Sequence, residues 1–458
     1  MSKQYDVLVI GSGTAGITAA YELTQNGLKV GVVEHSKRPG GTCALSGCQA
    51  KKWFYEGVET VARSRHLSGI GITSAAVASW LDLRDAKNRF TTRVPDNTVN
   101  GLKQAGIDLI WGHARFTDRH SISVDHQQLS ARFIVLATGA VPMQLPIDGA
   151  QHMVTSSEFL DLNRLPRRII FIGGGFISFE FAHFAVRLGP AETRCTILEA
   201  GPRPLGPFDG EMVGLLAEAS APEGIDLLCD VTITTIEKTG DAFSVTTKDG
   251  RRFEADLVVH GAGRTPDLSG LDLENAGIDS KRRGITVNEK MMTTNAHVYA
   301  VGDCAATIQL ARVADAEAQV AAAGIVSRHR GDQNEASIDY TAVPSVLFTY
   351  PQYGMVGATE EALRDAGVVY KKSFGRNLSW PTYRRVGMKS AAYKVLADEK
   401  GRLLGAHVLS DNATGLINTC TLAMVNHISV EALYRQSVMT PYPSRESDII
   451  YMLNPLIA

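Results

Sequence analysis

The chain lacks the features that mark membrane, nucleic-acid-binding and secreted proteins. No run of 18 apolar residues occurs in its 458 residues, which argues against a transmembrane helix. The net charge is only −2, so there is no electrostatic case for a nucleic acid or an anionic membrane as partner. Only six cysteines are present, and an apolar run already begins by Asp6, which leaves no room for a leader peptide. These absences predict a cytoplasmic protein.

A glycine-rich turn is the first positive feature. The apolar run 5–10 leads into Gly11, Gly13 and Gly16, and a helix-forming segment follows. The first glycine permits the turn, the second lets the backbone approach a pyrophosphate, and the third allows close helix–strand packing. A second apolar run ends in Glu34, whose carboxylate can accept both hydroxyls of an adenosine ribose. The pattern predicts a dinucleotide site.

Two cysteines follow in the segment 40–52, which reads GGTCALSGCQAKK. In an ideal helix, Cα atoms five residues apart are separated by roughly 8–9 Å, beyond the roughly 7 Å limit for a disulfide. Either Cys43 and Cys48 do not close into a disulfide or the helix is distorted between them, and Gly47 makes a distortion easier. Two unrelated buried thiols and a metal site are the alternatives, although no further ligand lies at metal-binding spacing nearby.

Segment 40–52 resembles the GGTCxNxGCxPSK motif of the class I pyridine-nucleotide–disulfide oxidoreductases, which include dihydrolipoyl dehydrogenase, glutathione reductase and mercuric reductase. Further resemblances follow in the family's order along nearly the whole chain: an ATG segment at 137–139, a second glycine fingerprint at 169–180, GxGRxP at 261–266, a second flavin contact at 299–303 and the start of a dimerisation domain at 343–360. The resemblance implies an α/β fold with two Rossmann-like dinucleotide-binding domains, for FAD and NAD(P), plus a C-terminal α+β dimerisation domain.

The resemblance also predicts how the chain is divided. We expect an FAD-binding domain at 1–148 and 268–337, an NAD(P)-binding domain at 149–267, and a dimerisation domain at 338–458 that forms a homodimer. We further expect an alanine-rich helix from Ala311 to Ile325, followed by a polar linker from Arg328 to Ser337.

Roles for individual residues follow from the same resemblance. Cys43 is the expected interchange thiol, Cys48 the thiol beside the flavin, and Lys52 with Glu180 the charged pair at the flavin edge. The FAD site is expected to comprise Gly11, Gly13, Gly16, Glu34, Gly41, Thr42, Lys52, Ala114, Thr138, Gly139, Gly302, Asp303 and Ala311. The nicotinamide cofactor is expected to lie against Gly173, Gly175, Phe176, Ile177, Glu199 and Gly263.

The second fingerprint departs from the glycine pattern. Ser178 stands where the third glycine is expected, so we predict a helix that lies slightly farther from its strand. Phe176 is either a gate over the flavin or plain core packing. Glu199 suits ribose hydroxyls and repels a 2′-phosphate. Arg203 is flanked by prolines, which together with Glu199 favours NADH over NADPH.

The C-terminal catalytic motif of the family, HPTxSE, is altered here. Tyr442 takes the His position and Ser447 the Glu position, while Glu446 lies beside it, so Tyr442 and Glu446 are the candidate catalytic residues. Imidazole shuttles protons at neutral pH, whereas tyrosine, with an ordinary pKa near 10, is a poor base there. Lipoamide and glutathione reduction are therefore not carried over. Mercury reduction is not expected either, because the last cysteine is Cys420.

The predicted function is electron transfer from NAD(P)H through FAD to the Cys43–Cys48 disulfide and on to a disulfide or dithiol partner. An alternative within the same class is direct reduction of a quinone or a metal ion by the flavin, for which the missing histidine is irrelevant. A redox-sensing or structural flavoprotein subunit is the alternative from a different class.

Overall fold

The computed structural model describes residues 4–332 and 336–457. Its contacts divide the chain into two compact units. The first comprises Met1–Trp53, Asp85–Gln144 and Gly263–Asp339, and the second comprises Phe54–Arg84, Leu145–Ala262 and Tyr340–Ala458.

The helices within the described residues are α1 Thr14–Gln25, α2 Gly41–Leu45, α3 Cys48–His66, α4 Trp80–Thr91, α5 Val94–Gln104, α6 Ser156–Phe159, α7 Phe176–Leu188, α8 Gly210–Ser220, α9 Ala311–Arg330, α10 Glu360–Asp365, α11 Pro381–Arg384, α12 Ala413–Val425, α13 Val430–Ser437 and α14 Ile449–Ile457. The first strands are β1 Gln4–Ile10, β2 Val30–Glu34, β3 Asp108–Trp111, β4 Ala114–Phe116, β5 Ser121–Val124, β6 Gln127–Leu136, β7 Ala140–Pro142, β8 Arg168–Ile172, β9 Arg194–Leu198, β10 Ile225–Leu228, β11 Ile233–Thr239 and β12 Ala242–Thr247. The remaining strands are β13 Arg252–Ala255, β14 Leu257–His260, β15 Arg264–Pro266, β16 Ser280–Lys281, β17 Gly284–Ile285, β18 Val298–Ala300, β19 Ser345–Leu347, β20 Gln352–Gly357, β21 Lys371–Arg376, β22 Ala392–Ala397 and β23 Leu403–Ser410.

A seven-stranded sheet organises the first unit, in the order β3-β2-β1-β6-β5-β4 with β18 beside β6. β1 pairs in parallel with β2 on one side and β6 on the other, so the loop after β1 lies at the point where the strand order reverses. Val7 and Val9 are fully buried because α1 and α9 pack over this sheet. Parallel strands covered in this way read as continuous apolar runs in the sequence.

Three sheets form the second unit. A parallel sheet in the order β10-β9-β8-β14 repeats the arrangement of the first unit, because β8 lies between β9 and β14. A three-stranded antiparallel sheet, β11-β12-β13, accompanies it. The C-terminal part is an antiparallel sheet in the order β19-β20-β23-β22-β21, against which α12 and α14 pack. The expected α/β fold with two similar parallel sheets and a C-terminal α+β part is confirmed.

The predicted linker at 328–337 is wrong at its start. Helix α9 continues through Arg328 to Arg330, and Gly331 ends it with a left-handed backbone (φ 84°). Basic residues in the last turn favour this extension because they interact well with the helix dipole. Residues 333–335 of the predicted linker lie outside the described residues.

The three-domain division remains a prediction, and two local facts bear on its boundaries. Strand β15 pairs with β7 inside the first unit, although residues 264–266 were expected in the NAD(P) domain. Residues 54–84 belong to the second unit by their contacts. Among the described residues, no helix combines the length and the apolar character that crossing a membrane requires.

Candidate active site

The loop after β1 is shaped by very close backbone contacts. A Cβ at Gly16 would lie 2.0 Å from the Gly11 carbonyl oxygen, and one at Gly11 would lie 2.4 Å from the Ala137 oxygen. Gly11 also has a left-handed backbone, with φ at 107°. Gly41 approaches the Cα of Gly13 so closely that a Cβ on it would lie 2.4 Å away. These glycines leave a smooth backbone cradle at the start of α1.

Glu34, at the end of β2, is buried and fixes this loop. Its Oε2 accepts hydrogen bonds from the Ser12 backbone N–H at 3.0 Å and from the Ser12 hydroxyl, and its Oε1 accepts one from the Ser36 N–H at 2.7 Å. A carboxylate has about four acceptor positions. The side chain therefore keeps capacity for a further donor such as a ribose hydroxyl.

The helix is broken between the two cysteines. Helix α2 ends at Leu45, Ser46 has an extended φ of −151°, and α3 begins at Cys48. A Cβ at Gly47 would lie 2.8 Å from the Thr42 carbonyl oxygen, so only glycine fits in the break. The structure thus takes the distorted-helix alternative, and it brings the side chains of Cys43 and Cys48 into hydrogen-bonding contact. Cys48 is exposed and Cys43 is partly buried.

The hydrogen bond that the Cys43 thiol donates to Cys48, burial and the proximity of a second thiol together raise the pKa of Cys43 well above its usual range. Two contacts act in the opposite direction, namely hydrogen bonds from the Thr14 side chain and from the Gln49 backbone. A thiol is activated by donors that stabilise its anion. The balance at Cys43 therefore depends on the groups that face its sulfur.

Lys52 and Glu180 lie in different units, so each is described by itself. Lys52 lies four residues after Cys48 on α3, a spacing that places the two side chains on one face of a helix. Glu180, on α7, is 1% exposed, and its Oε1 accepts the backbone N–H of Phe348 at 2.9 Å. The Lys–Glu pair stays a prediction.

Asp303 and Arg264 form a second charged feature of the first unit. Burial raises the pKa of Asp303 while the charge of Arg264 lowers it, with burial prevailing. Burial lowers the pKa of Arg264. The guanidinium donates to the Ala140 carbonyl and, at 3.5 Å, to the Thr42 hydroxyl, so it joins the segment of the cysteines to the expected flavin contact at Asp303.

The remaining expected FAD contacts are spread over this unit. The Thr138 hydroxyl donates to the Asp267 carbonyl at 2.6 Å, and Gly139 has a left-handed backbone. The Gly302 N–H donates to Glu317 at 2.7 Å, which fixes the turn that carries Asp303. Ala114 is a buried residue of β4, and Ala311 is the first residue of α9.

The loop after β8 has Ser178 at the position of the third glycine. The Ser178 hydroxyl donates to the Gly173 carbonyl. Room for Ser178 comes from Gly261, because a Cβ there would lie 1.9 Å from the Ser178 oxygen. The prediction of a wider separation between helix and strand considered Ser178 without its neighbour Gly261. The structure shows the neighbouring glycine that makes space for the serine.

Glu199 repeats the role of Glu34 in the second unit. Its Oε2 accepts the Gly174 N–H at 2.5 Å and its Oε1 the Gly201 N–H at 2.7 Å. Arg203 donates to the carbonyls of Phe208 at 2.8 Å and Gly206 at 2.7 Å, so its guanidinium is engaged by its own loop.

Three further expected cofactor contacts lie near these glycines. Phe176, the first residue of α7, is 49% exposed, so it does not pack as a core residue. Ile177 follows on the same helix, and Gly175 caps it with an extended backbone. Gly263 has a left-handed backbone in the GxGR segment.

The altered C-terminal motif places an exposed tyrosine where the family has histidine. Tyr442 is 76% exposed in the single chain. Ser447 closes a local turn, since its hydroxyl donates to the Ser444 carbonyl at 2.7 Å and accepts the Ser444 N–H. The Glu446 carboxylate accepts the Asn412 amide at 2.8 Å.

An ion-pair cluster beside this turn is absent from the sequence-based site. Arg445 binds Asp411 through two hydrogen bonds of 2.7 and 3.0 Å, and Arg63 reaches the same carboxylate at 3.2 Å. Together with Glu59 and Arg385 they line a cavity of about 360 Å³. Arg445 lies inside the altered motif, which was the available signal.

Family models match most of the chain. A model described as pyridine nucleotide-disulphide oxidoreductase matches residues 5–318, and one for the dimerisation domain of these enzymes matches residues 343–448. The chain belongs to the pyridine nucleotide-disulphide oxidoreductase family. It is thus an oxidoreductase and a flavoprotein of a family that uses FAD and NAD(P)H, as the sequence predicted.

Curated relatives carry different names. The chain is 31% identical to a mercuric reductase of Staphylococcus aureus (94% of this chain and 78% of that protein), 29% identical to a glutathione reductase of Nostoc (93% and 94%) and 30% identical to a mitochondrial dihydrolipoyl dehydrogenase of Arabidopsis thaliana (95% and 87%). Among solved structures it resembles the HOCl-induced flavoprotein disulfide reductase RclA of Escherichia coli, with 25% identity and a TM-score of 0.86 over 98% of this chain and 99% of that one.

The first unit of this oxidoreductase fits FAD. The backbone cradle around Gly11 and Gly41 accepts no side chain, and the buried carboxylate of Glu34 stands at the end of β2, where a ribose is bound in such folds. Three residues that sequence reasoning left out lie beside these expected contacts: Ser12, Thr14 and Arg264. All three lie inside motifs that are visible in the sequence.

Proposed function

We propose that this oxidoreductase uses NADH to reduce the Cys43–Cys48 disulfide and passes the electron pair to a disulfide acceptor. The observation that carries the proposal is the broken helix at 46–47, which holds the two sulfurs in contact beside the glycine cradle of the first unit. The name of RclA, a flavoprotein disulfide reductase, agrees with this acceptor class.

FAD, when bound along Gly11, Gly13, Glu34, Thr42 and Asp303, supplies the step that converts a hydride into an electron pair for the disulfide. The protein's own residues hold it and carry the exchange with the acceptor. Lys52 and Glu180 are proposed to form the charged pair at the flavin edge, which fixes the cofactor relative to Cys48.

The thiol steps balance as a two-electron exchange. The Cys43 thiolate attacks one sulfur of the acceptor disulfide, which forms a mixed disulfide and releases the other sulfur as a thiolate. The Cys48 thiolate then attacks the Cys43 sulfur, which re-forms the internal disulfide and releases the second acceptor thiolate. The two released thiolates take protons from solvent, to which Tyr442 is open in the single chain.

Two features of the second unit support NADH as donor. Glu199 follows β9 and holds its carboxylate against the glycine loop, at the place where this fold binds a ribose and where a 2′-phosphate would be repelled. Arg203, the nearby cation, is held by two carbonyls of its own loop. A 2′-phosphate would have to compete for this guanidinium, so we expect a lower KM for NADH than for NADPH.

Cysteine variants test the proposal. With NADH as donor, Cys43→Ser and Cys48→Ser are expected to abolish reduction of an aromatic disulfide such as dithionitrobenzoate. Reduction of menadione, a quinone, should largely survive in Cys43→Ser. Cys229→Ser is the matched control, because Cys229 is a partly exposed thiol in the other unit. Disulfide reduction that persists in both active-site variants would contradict the proposal.

A metal ion that the flavin reduces directly is a second candidate acceptor. The observation that favours it is the exposed Tyr442 in place of imidazole, because reduction of a metal ion needs no proton shuttle. The mercuric reductase of Staphylococcus aureus, at 31% identity, is named for such an activity. NADH oxidation that depends on an added metal ion such as Cu(II) and persists in Cys43→Ser, without any turnover of disulfides, would favour this candidate.

We further propose that the chain works as a cytoplasmic homodimer. The dimerisation-domain match at 343–448 supports a second copy as partner. In the family this partner brings its C-terminal motif to the thiols, so Tyr442 and Glu446 are proposed to act there. Sedimentation at micromolar protein concentration measures the assembly, and a monomer would contradict it.

A further inference from the structure

Two arginines anchor the turn that follows Tyr442 in the altered C-terminal motif. Arg385 donates from Nη2 to the carbonyl oxygen of Pro443 at 2.9 Å, and Pro443 is the residue directly after Tyr442. Arg445 donates from Nε and Nη2 to the two carboxylate oxygens of Asp411, at 2.7 and 3.0 Å. All of these residues lie in the second unit. The backbone beside Tyr442 is therefore held from two directions.

The anchor at Arg445 is buried and has a fixed orientation. Its side chain is 8% exposed and that of Asp411 is 2% exposed. The guanidinium also lies over the ring of Tyr383, 4.0 Å from the ring centroid. A planar guanidinium that binds a carboxylate through two hydrogen bonds and stacks on an aromatic ring has little freedom to turn. The backbone at Arg445 is fixed accordingly.

The residues after Arg445 are also held by side chains of the same unit. Glu446 accepts the amide of Asn412 at 2.8 Å, and Asp448 accepts the hydroxyl of Thr382. Tyr442, in contrast, is 76% exposed. Because packing does not enclose the tyrosine in the single chain, its direction depends on the anchored backbone to which it is attached.

We propose that Arg385 and Arg445 are positioning residues for disulfide exchange, because they hold the turn that presents Tyr442. The inference rests on the proposed function, in which this turn serves reduction of a disulfide acceptor. Neither arginine is given a bond-forming step, so atoms and electrons balance as in the exchange described above. Reduction of a quinone directly by the flavin does not involve the turn, and it should not depend on either arginine.

Arg385→Met is the principal variant, because Arg385 is exposed and the fold does not depend on its burial. In the FAD-loaded protein with NADH as donor, we expect kcat/KM for dithionitrobenzoate to fall about tenfold, since a small displacement of a reacting group costs this much or more. Reduction of menadione should be unchanged. Arg385→Lys keeps an N–H donor for the carbonyl and is expected to restore most of the disulfide activity.

Arg445→Met is expected to show the same selective loss, and Arg63→Met is its matched control. Arg63 contacts the same carboxylate of Asp411 at 3.2 Å, but it lies on α3, outside the turn, and its side chain is 47% exposed. An exposed ion pair contributes little, so we expect disulfide reduction in Arg63→Met to stay within about twofold.

A double-mutant cycle separates positioning of Tyr442 from a general loss of structure. If Arg385 acts through the tyrosine, Arg385→Met should lower disulfide reduction much less in the Tyr442→Ala background than in the unaltered protein. Two independent effects would instead multiply.

A second readout requires no electron transfer. Cleavage of the native protein after Glu446 by a glutamate-specific protease needs local opening of the turn. We expect Arg385→Met and Arg445→Met to be cut there several times faster than the unaltered protein, and Arg63→Met to be cut at the unaltered rate. Mass spectrometry of the fragments identifies the site of cleavage.

Unchanged disulfide reduction in both Arg385→Met and Arg445→Met would overturn the proposal. An equal loss of menadione reduction, or a full effect of Arg385→Met in the Tyr442→Ala background, would also overturn it. If the unaltered protein reduces no disulfide, the proposed function fails. Cleavage after Glu446 then tests the anchors by itself, and equal rates in all variants would contradict them.

Discussion

The two glycine loops occupy equivalent places in their sheets, but the small and the larger residue of one contacting pair are interchanged between them. In the first unit the third loop position is Gly16, and the residue that follows the neighbouring strand is Ala137. In the second unit these positions hold Ser178 and Gly261. Ala137 and Gly261 are equivalent because each donates its N–H to the last residue of the central strand, Ile10 at 2.9 Å and Ile172 at 2.8 Å.

This interchange shows that the fingerprint limits the combined size of two side chains, one at the third loop position and one after the neighbouring strand. At the first loop the close contact is between Gly16 and the Gly11 carbonyl, with Ala137 at 3.4 Å from a Cβ on Gly16. At the second loop a serine is accepted because its neighbour has no side chain and its hydroxyl binds the loop carbonyl. Helix and strand are therefore joined by close packing in one unit and by packing plus a hydrogen bond in the other.

The largest effect is expected when the first loop receives the serine that the second loop has at the equivalent position. Gly16→Ser would place a Cβ 2.0 Å from the Gly11 carbonyl oxygen, which belongs to backbone and cannot move aside cheaply. We expect protein that is insoluble or lacks FAD, measured by the ratio of visible to ultraviolet absorbance. Gly214→Ala, in α8, is the control because a Cβ there meets nothing within 4 Å. A yellow, stable Gly16→Ser protein would contradict the comparison.

The second unit also depends on a buried lysine in strand β22. Lys394 is 1% exposed, and its Nζ contacts Asp209 at 2.8 Å, Glu211 at 2.8 Å and Glu360 at 2.7 Å. Lys394→Met would leave the buried carboxylates without this partner, and we expect a loss of about 3–5 kcal/mol in unfolding free energy.

Lys372→Met is the matched control for the buried lysine. Lys372 contacts the same Glu360 at 3.0 Å, but its side chain is 35% exposed, so a loss within about 1 kcal/mol is expected. Chemical denaturation measures both variants. Equal losses would show that burial does not set the strength of this cluster.

The same cluster predicts a pH dependence for the second unit. Burial works to raise the pKa of Glu360, but hydrogen bonds from Lys394, Lys372 and Tyr370 outweigh it and lower the pKa to about 2. A carboxyl whose pKa is lower in the folded state stabilises the fold above its ordinary value of 4.5 and loses this effect as the pH falls toward 2. We expect the melting temperature to fall across that window, and less steeply in Lys394→Met. Parallel curves would contradict the account.

A smaller loss of stability is expected when the contacting pair Ser178 and Gly261 of the second loop is altered. Gly261→Ala would place a Cβ 1.9 Å from the Ser178 oxygen, and overpacking of this kind costs about 1–3 kcal/mol. Ser178→Gly should remove the clash, so the double variant, which has the glycine–alanine pair of the first loop, is expected to regain most of the lost stability. Additive losses in the thermodynamic cycle would show that the two positions are not coupled.

The smallest effect concerns the acids that end β2 and β9. Glu199→Gln is expected to raise the KM for NADH about tenfold, because hydrogen bonds to charged groups contribute roughly 1.5–3 kcal/mol. FAD content should be unchanged, since Glu34 serves the other loop. Arg203→Ala, the control, is expected to leave the KM for NADH and NADPH within about twofold. A selective loss of NADPH affinity in this control would point to a phosphate-binding arginine.

The sequence predicted those features that depend on local chain geometry. Gly11 and Gly16 indicate their turn because a Cβ at either position would collide with a backbone carbonyl oxygen. The spacing of Cys43 and Cys48 left two alternatives, an unclosed pair or a distorted helix, and the structure has the distorted helix. The predicted start of the linker was wrong because the polar residues from Arg328 onward were interpreted as a loop. They form the last turn of helix α9.

Features that depend on partners distant in sequence could not be predicted from the sequence. The space around Ser178 is made by Gly261, 83 positions later, and Gly41, beside the cysteine segment, packs against Gly13 of the first loop. The pairing of Arg445 with Asp411 likewise joins two segments whose approach only the folded sheet determines. A single sequence reveals such residues as polar or small, without the neighbour that gives them a role.

An anaerobic NADH titration of the FAD-loaded protein, followed by visible absorbance, shows whether Cys43 and Cys48 form a working redox pair beside a flavin. We expect a long-wavelength thiolate-to-flavin charge-transfer band and the uptake of four electrons per chain, with Cys43→Ser taking up two. Bleaching after two electrons without that band would contradict it, because the dithiol would then take no part in electron transfer.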